Sequence, residues 1–151
     1  MCALREHTGG LAVGERGGVA AVNLVRPSLL ITDDDPHLRE TLRSVFEPRG
    51  VCTWLAGDGE EALRIVEHHS IHVVLLDMHM PRLDGVETLE RLCRYDNPPA
   101  CIAMSGDWTE ELQQRVRPVA YTLLWKPVRF HSVVESVRAA LWERYGLSWH
   151  E

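Results

Sequence analysis

Five side chains that could carry out chemistry together stand where short apolar runs of the sequence end. Three are carboxylates, one is a hydroxyl and one is an ammonium group: Asp33, Asp34, Asp77, Ser105 and Lys126. Two carboxylates about 4 Å apart repel each other by roughly 4 kcal/mol at an effective dielectric of 20, so a cluster of three favours a bound cation. Oxygen ligands with room for water suit Mg²⁺.

The same set could transfer a phosphoryl group. An aspartate carboxylate can attack phosphorus and form an acyl phosphate. A metal ion, an ammonium group and a hydroxyl donor can neutralise the charge on the transferring group. A single aspartate at a strand end is more often a cap or turn residue, so the interpretation depends on the combination. Lys126 supports it, because it is the only lysine among 16 lysine and arginine residues.

These side chains need a scaffold, and the sequence alternates five strand patterns with five helical patterns. Strands are predicted at 28–33, 51–55, 71–77, 100–105 and 119–125. Helices are predicted at 36–47, at 58–68, from Asp84, at about 108–116 and from Ser132. This alternation predicts an α/β fold with a doubly wound, five-stranded parallel sheet, and it leaves the strand order open. Ligands of such sheets bind beyond the carboxyl ends of the strands, where the five side chains would meet.

Length and charge exclude several classes of protein. A chain of 151 residues corresponds to one domain. Its net charge of −6 and pI near 5.7 argue against direct nucleic-acid binding, which needs a basic face. Apolar runs are far shorter than the 18 or so residues that span a bilayer, so no membrane insertion is expected. Charged residues and glycines interrupt residues 1–27, which predicts a flexible arm and a cytoplasmic protein.

Four segments together resemble the signature segments of response regulator receiver domains of two-component signalling. They are SLLITDDDP, VVLLDMHMPRLDG, IAMSG and LLWKP, in the order and strand placement of that family. The resemblance covers about residues 28–145. It implies a flavodoxin-like (βα)5 receiver fold for that range, with the arm 1–27 before it and a C-terminal tail, 146–151, after it.

The resemblance implies a role for each matching acidic residue. Asp77 corresponds to the phosphoacceptor, and Asp33 and Asp34 correspond to the acidic pair that handles Mg²⁺. The main-chain carbonyl of His79 corresponds to a further metal ligand, beside Asp77 itself. Asp35 is then left as a helix cap.

Three positions in the last two signature segments concern the phosphorylated state. Ser105 resembles the hydroxyl residue that bonds a phosphoryl oxygen, and Lys126 resembles the lysine that pairs with the phosphoryl group. Leu123 departs from the family, which usually carries Tyr or Phe at this switch position. Switching would then be carried by other groups, such as Trp125 or Tyr121, or the coupling would be weak.

The resemblance also implies partners and an activity. The phosphoryl group would come from a sensor histidine kinase or a histidine phosphotransfer protein, and signalling would follow by docking a downstream protein or by onward transfer. The only enzymatic activity expected is Mg²⁺-dependent self-phosphorylation from a phosphodonor and autodephosphorylation. Since no output domain follows Glu151 in the sequence, we expect a stand-alone receiver.

Two rival functions are weighed against this one. Phosphatases of the haloacid-dehalogenase type also use an aspartate nucleophile and Mg²⁺, but they carry an acid two residues after the nucleophile, where this chain has His79. The other rival is a phosphorylation-silent, receiver-like interaction module. The complete set of polar residues argues against a silent module, while Leu123 keeps that alternative open.

Two groups of side chains have no role in this scheme. Three histidines, at positions 68, 69 and 72, fall at a helix-to-strand break, and we interpret them as a solvated turn, not a metal site. Three aromatic residues, Trp142, Tyr145 and Trp149, lie near the C-terminus. They could form a partner-binding patch or cover the end of a helix layer, and the sequence leaves both open.

Overall fold

Five β-strands alternate with five α-helices in residues 25–149, the part of the chain described by this computed structural model. The strands are β1 (Ser28–Thr32), β2 (Cys52–Ala56), β3 (Val73–Asp77), β4 (Ala100–Ser105) and β5 (Thr122–Trp125). The helices are α1 (Pro36–Phe46), α2 (Gly59–His68), α3 (Gly85–Leu92), α4 (Glu110–Val116) and α5 (Phe130–Tyr145), with a short 3₁₀ turn at Glu47–Arg49. In residues 25–149 no helix has both the length and the apolar character that crossing a bilayer requires.

All five strands lie in one parallel sheet, in the order β2-β1-β3-β4-β5. The predicted fold class, a doubly wound parallel sheet of the flavodoxin-like type, is therefore confirmed. The strand order, which the sequence left open, makes β1 and β3 neighbours, with Thr32 beside Leu76. The chain winds in opposite directions on either side of this pair, so their carboxyl ends flank the crevice where such sheets bind ligands.

The core has one layer on each face of the sheet. Leu30 and Val74 point to a cluster that includes side chains of α2, α3 and α4. Ile31 and Leu75, one position further along the same strands, point to a second cluster with α1 and α5. Every residue of β3 is buried, as its nearly continuous aliphatic sequence predicts for a strand covered on both faces.

Aspartate side chains begin three of the helices. Asp35, Asp58 and Asp84 are the N-caps of α1, α2 and α3, and each accepts a hydrogen bond of 2.9 Å from a first-turn amide. A side-chain oxygen at this position satisfies an amide that has no partner within the helix. The predicted starts of these three helices are therefore confirmed.

Four predicted boundaries are wrong by two or three residues. Strand β3 begins at Val73 and not at residue 71. Helix α4 begins at Glu110 after the N-cap Thr109, because the Trp108 indole is buried and donates to Leu124 O at 2.8 Å. Strand β5 begins at Thr122, since the amides of residues 119 and 120 still donate to Val116 O. Helix α5 begins at Phe130, before Ser132, because a bond from Val133 N to Arg129 O closes its first turn.

Residues 146–149 of the predicted tail fold back onto the layer formed by α1 and α5. Gly146 has φ 64°, a left-handed conformation that glycine adopts without strain, and Leu147 N then donates to Leu141 O at 3.1 Å. Trp149 packs edge-on against Phe46, with ring centroids 6.0 Å apart, and the Arg138 guanidinium lies 5.2 Å from the indole centroid. The predicted arm, 1–27, falls almost entirely outside the described residues.

Trp149 should therefore contribute to stability, whereas Trp142, which is 63% exposed, should not. We expect Trp149→Ala to lower the free energy of unfolding by about 1 to 3 kcal/mol, since it removes the ring that packs on Phe46. The matched variant Trp142→Ala should change it by no more than about 0.5 kcal/mol. Urea denaturation followed by circular dichroism measures both, and equal losses would contradict this assignment of the tail.

Two of the three histidines interpreted as a solvated turn are half-buried in the structure, His72 and also His69, which stacks on Trp54. His72 lies just before β3, and its Nδ1 accepts a hydrogen bond of 3.0 Å from the first amide of β1, Ser28 N. Tyr145 packs edge-on against the imidazole and donates its hydroxyl to His72 O at 2.8 Å. Burial lowers the pKa of His72 below its ordinary value of 6.5.

The lowered pKa of His72 makes folding stability depend on pH. As pH falls, His72 takes up a proton more readily in the unfolded chain than in the folded protein. The contribution of neutral His72 to folding stability is therefore complete above pH 6.5 and is lost as pH falls through the lower pKa of the folded state. In urea denaturation between pH 8 and pH 5.5, the free energy of unfolding should fall more steeply as the pH is lowered for the wild type than for His72→Gln. The exposed control His131→Gln should keep the wild-type slope. An unchanged slope in His72→Gln would refute the assignment.

Candidate functional site

The carboxyl ends of β1 and β3 bring three carboxylates together. Asp33 follows β1, Asp34 comes next in the chain, and Asp77 is the last residue of β3. One ligand oxygen from each of the three lies within 4.8 Å of the others. The exposed fractions of Asp33 and Asp77 are 0% and 2%, whereas Asp34 is exposed. The structure therefore assembles the acidic cluster that the sequence predicts, with two members in the protein interior and one at the opening.

Backbone amides fix the orientation of the two buried carboxylates. Asp33 Oδ1 accepts a hydrogen bond of 2.9 Å from Asp35 N, and Asp77 Oδ1 accepts one of 3.1 Å from His79 N. In both residues the second oxygen, Oδ2, is thereby left to face the cluster. The Arg39 guanidinium, on the first turns of α1, donates to Asp33 O at 2.7 Å and holds the backbone of this loop.

Lys126 completes the cluster from the end of β5. Its Nζ lies 2.6 Å from Asp33 Oδ2 and 3.1 Å from Asp77 Oδ2. Its backbone amide donates to Ser105 O at 2.9 Å, which continues the pairing of β4 and β5 one residue beyond the sheet. The peptide bond from Lys126 to Pro127 is cis. The ammonium group therefore lies between two buried carboxylates contributed by two other strands.

Burial and charge act in opposite directions on the pKa values of this cluster. Burial raises the pKa of Asp33, and the negative charge of Asp77 adds to this effect, while Lys126 opposes it. Burial alone would lower the pKa of Lys126, but its two carboxylate partners outweigh burial and raise that pKa. Lys126 therefore remains an ammonium group at any physiological pH.

Ser105 lies beside the acidic cluster at the end of β4. Its hydroxyl is fully buried and accepts a hydrogen bond of 3.0 Å from Asp107 N. The same oxygen lies 2.9 Å from His79 Nε2. The resemblance predicts two roles for His79, a metal ligand through its main-chain carbonyl and a position at the rim of the pocket that tunes the lifetime of the phosphoryl group. It did not predict the contact of the imidazole with Ser105. The pairing of β3 with β4 creates that contact, and the sequence did not reveal which strands pair.

A glycine allows the loop after β3 to return close to Asp77. A Cβ atom at Gly85, the first residue of α3, would lie 2.0 Å from Asp77 O and would force the backbone apart. Arg82, within the loop, has a positive φ of 66° and pairs with the Asp58 carboxylate at 2.8 Å. The loop that carries His79 therefore returns to Asp77 at its C-terminal end, where Gly85 N donates to Met78 O at 3.3 Å, and Arg82 ties the loop to the N-cap of α2.

Leu123, the predicted switch position, lies on the other side of β5 from α5. Its side chain is half-buried and packs with the cluster that contains Trp108. It lines a groove of about 270 Å³ next to α4. Of the two aromatic residues named as substitutes, Tyr121 is hydrogen-bonded to Glu143 of α5, and Trp125 is 61% exposed. Trp125 is therefore the less restrained of the two.

The donor atoms suit a hard divalent cation. All are oxygens, and the buried Asp33 Oδ2, which the Lys126 ammonium contacts at 2.6 Å, has a second lone pair. A lone pair of that oxygen is thus available to a metal. Mg²⁺ is commonly bound through carboxylates and keeps several waters, which fits a carboxylate cluster of which one member lies at the solvent-facing opening.

Comparison with known proteins adds an independent line of evidence. A family model described as "Response regulator receiver domain" matches residues 29–138. The "Positive alginate biosynthesis regulatory protein" of Pseudomonas aeruginosa is 38% identical over 117 residues, which are 75% of this chain and 46% of that protein. "Response regulator MprA" of a Mycobacterium species is 33% identical over 114 residues, 75% of this chain and 50% of that protein. The chain thus spans about half the length of these relatives.

Solved structures show the same fold. The receiver domain of Francisella response regulator 1452 aligns with a TM-score of 0.69 and 29% identity, covering 76% of this chain and 95% of that domain. A signal receiver domain from a Pseudomonas fluorescens protein that contains an HD domain aligns with a TM-score of 0.75 and 23% identity, covering 83% and 95%. The second likeness concerns the fold alone.

Proposed function

This chain belongs to the response regulator receiver domain family of two-component signalling, and from that membership we propose that Asp77 is its phosphoacceptor. One observation carries the proposal. The Asp77 carboxylate is almost completely buried at the end of β3, yet it faces both a carboxylate cluster and the Lys126 ammonium, 3.1 Å away. A buried carboxylate between a cation site and an ammonium group can receive a phosphoryl group. The cation and the ammonium group then neutralise the negative charge of the phosphoryl oxygens.

The proposed reaction is a single transfer. One carboxylate oxygen of Asp77 attacks phosphorus, a P–O bond to the aspartate forms, and the bond from phosphorus to the donor atom breaks. With a phosphohistidine donor the leaving atom is an imidazole nitrogen, which keeps the bonding electron pair and can take up a proton. The product is an acyl phosphate on Asp77.

Receiver domains generally bind Mg²⁺ at an acidic site, and this chain has an acidic cluster in the corresponding place. In our proposal the carboxylates of Asp33, Asp34 and Asp77 and the main-chain carbonyl of His79 would hold the ion. When bound, Mg²⁺ supplies positive charge against the oxygens of the transferring group. The chain itself orients Asp33 and Asp77 through the amides of residues 35 and 79.

Lys126 and Ser105 are proposed to contact the phosphoryl oxygens. The Lys126 ammonium, already shared between Asp33 and Asp77, can move its hydrogen bonds to a new anionic oxygen close by. The Ser105 hydroxyl, at the end of the neighbouring strand β4, is a second donor beside Asp77. Neither group needs to approach from solvent, because both side chains are already at the site.

The partners and the location are part of the same proposal. The donor is a sensor histidine kinase or a histidine phosphotransfer protein, and the signal passes to a downstream protein or onward along a relay, all in the cytoplasm. A net charge of −6 does not favour direct contact with nucleic acid. Since the chain spans about half of the relatives compared, the activities of those longer proteins are not transferred to it.

Asp77→Asn should abolish acyl-phosphate formation without unfolding the protein, because the amide is nearly the same shape but is not a nucleophile toward phosphorus. We expect the wild type, incubated with acetyl phosphate and Mg²⁺, to gain one phosphoryl group by intact mass, and to gain none with EDTA. The matched control Asp84→Asn, in which asparagine still caps α3, should label like the wild type. Persistent labelling of Asp77→Asn would exclude it as the acceptor, and a folded but unlabelled wild type would favour a silent interaction module.

Mg²⁺ affinity provides a second test, using neighbouring aspartates that carry the same charge. Asp34→Asn should weaken Mg²⁺ binding at least about tenfold, since a unit charge near the ion contributes several kcal/mol and about 1.4 kcal/mol is tenfold. Asp35→Asn removes an equal charge one residue away but keeps the cap of α1. Its affinity should stay within about threefold of the wild type. Isothermal titration calorimetry with MgCl₂ measures the affinity of each variant. Equal weakening by Asp34→Asn and Asp35→Asn would mean that Asp34 attracts Mg²⁺ only as a nearby charge and is not a ligand.

A further inference from the structure

We propose that the His79 imidazole competes with the phosphoryl group for the Ser105 hydroxyl and so holds the unphosphorylated form in place. This inference deepens the proposed function and depends on it. His79 is a positioning residue in this scheme, because it acts through Ser105. The contact that carries the inference is the 2.9 Å distance between His79 Nε2 and Ser105 Oγ.

The hydrogen bonds around Ser105 decide which atom holds the proton. A serine hydroxyl has one proton to donate and two lone pairs to accept with. Asp107 N donates to Ser105 Oγ at 3.0 Å and therefore uses a lone pair. In the described part of the chain, the only acceptor within hydrogen-bond distance of this oxygen is His79 Nε2. Because buried hydroxyl protons are almost always satisfied, Ser105 donates to His79 Nε2, and the ring carries its own proton on Nδ1.

The backbone on both sides keeps this pair in register. Met78 N donates to Met104 O at 2.9 Å, which extends the pairing of β3 with β4 beyond Asp77. His79 N is then held by Asp77 Oδ1 at 3.1 Å. The imidazole reaches across to Ser105 from this fixed position, while residue 79 as a whole remains exposed at the rim. Asp77, the proposed phosphoacceptor, thus holds the backbone of His79, and the His79 imidazole binds the Ser105 hydroxyl.

Phosphorylation must exchange one hydrogen bond for another. Phosphoryl oxygens are acceptors, and the single Ser105 proton cannot serve both an oxygen and His79 Nε2 at full strength. A charged oxygen is the stronger acceptor, so the exchange proceeds, but the lost bond to His79 opposes it. Removing the imidazole should therefore favour the phosphorylated arrangement. A neutral hydrogen bond of ordinary strength corresponds to a change of about 2- to 10-fold in an equilibrium constant.

The test uses the full chain with saturating MgCl₂ and beryllium fluoride, a non-covalent mimic of the phosphoryl group on aspartate. His79→Ala should bind beryllium fluoride about 2- to 10-fold more tightly than the wild type by isothermal titration calorimetry. In a Ser105→Ala background, His79→Ala should change the affinity for beryllium fluoride by no more than about 1.5-fold. The hydroxyl proton for which His79 and the phosphoryl mimic compete is then absent. His79→Gln, whose side-chain oxygen can still accept, should stay within about twofold of the wild type.

The double-mutant cycle separates this inference from a direct effect of His79. If His79→Ala strengthened beryllium fluoride binding equally in the wild type and in Ser105→Ala, the inference would be overturned. The imidazole would then act on the phosphoryl mimic itself. Weaker binding by His79→Ala would also overturn it.

A second readout does not depend on phosphoryl chemistry. Long-range ¹H–¹⁵N spectra of the protein without ligand should show the His79 proton on Nδ1, and Ser105→Ala should abolish that preference. A proton on Nε2 in the wild type would overturn the inference whatever the calorimetry shows. Absence of beryllium fluoride binding by the wild type, or binding unchanged in Asp77→Asn, would instead count against the proposed function.

Discussion

Two buried carboxylates that share one ammonium group form the constraint on which the rest of this structure depends. Asp33 and Asp77 lie at the ends of neighbouring strands, and their repulsion is offset by Lys126, 2.6 and 3.1 Å away. Because the ammonium group belongs to the loop after β5, this contact ties the far side of the sheet to its centre. The same three side chains that balance one another in this state are the ones proposed to exchange partners when a cation and a phosphoryl group arrive.

Sheet topology is what makes this contact possible. In the order β2-β1-β3-β4-β5, the carboxyl ends of β1 and β3 adjoin, and those of β4 and β5 follow on one side. Packing on both faces holds the strand ends in place, with α1 and α5 on one side and α2, α3 and α4 on the other. Aspartate caps fix where α1 and α3 begin, and so determine how long the loops after β1 and β3 can be. Hydrogen bonds from the loops after β1 and β3 therefore hold the Asp33 and Asp77 carboxylates in fixed orientations.

Hydrogen bonds link Asp77, the proposed acceptor, to its surroundings. Asp77 orients His79 through one hydrogen bond, and His79 contacts Ser105 on the next strand. At the predicted switch position, Leu123 cannot present an aromatic ring, while Tyr121 is held by Glu143 and Trp125 remains exposed. The pair formed by His79 and Ser105 thus lies one hydrogen bond away from Asp77, and it is the contact that we propose a phosphoryl group rearranges.

The sequence by itself determined the fold class, the number and order of the elements along the chain, the caps at Asp35, Asp58 and Asp84, and the set of acidic, hydroxyl and ammonium side chains at the strand ends. These follow from apolar periodicity and from local side-chain chemistry, both of which act over a few residues. Only the tertiary structure decided which strands adjoin, and with them the contact of His79 with Ser105, the burial of His72 beside Ser28 and the packing of Trp149 on Phe46. Each of these contacts joins residues at least 26 positions apart, so no local pattern encodes it. It arises when the sheet and its helix layers close around a shared core.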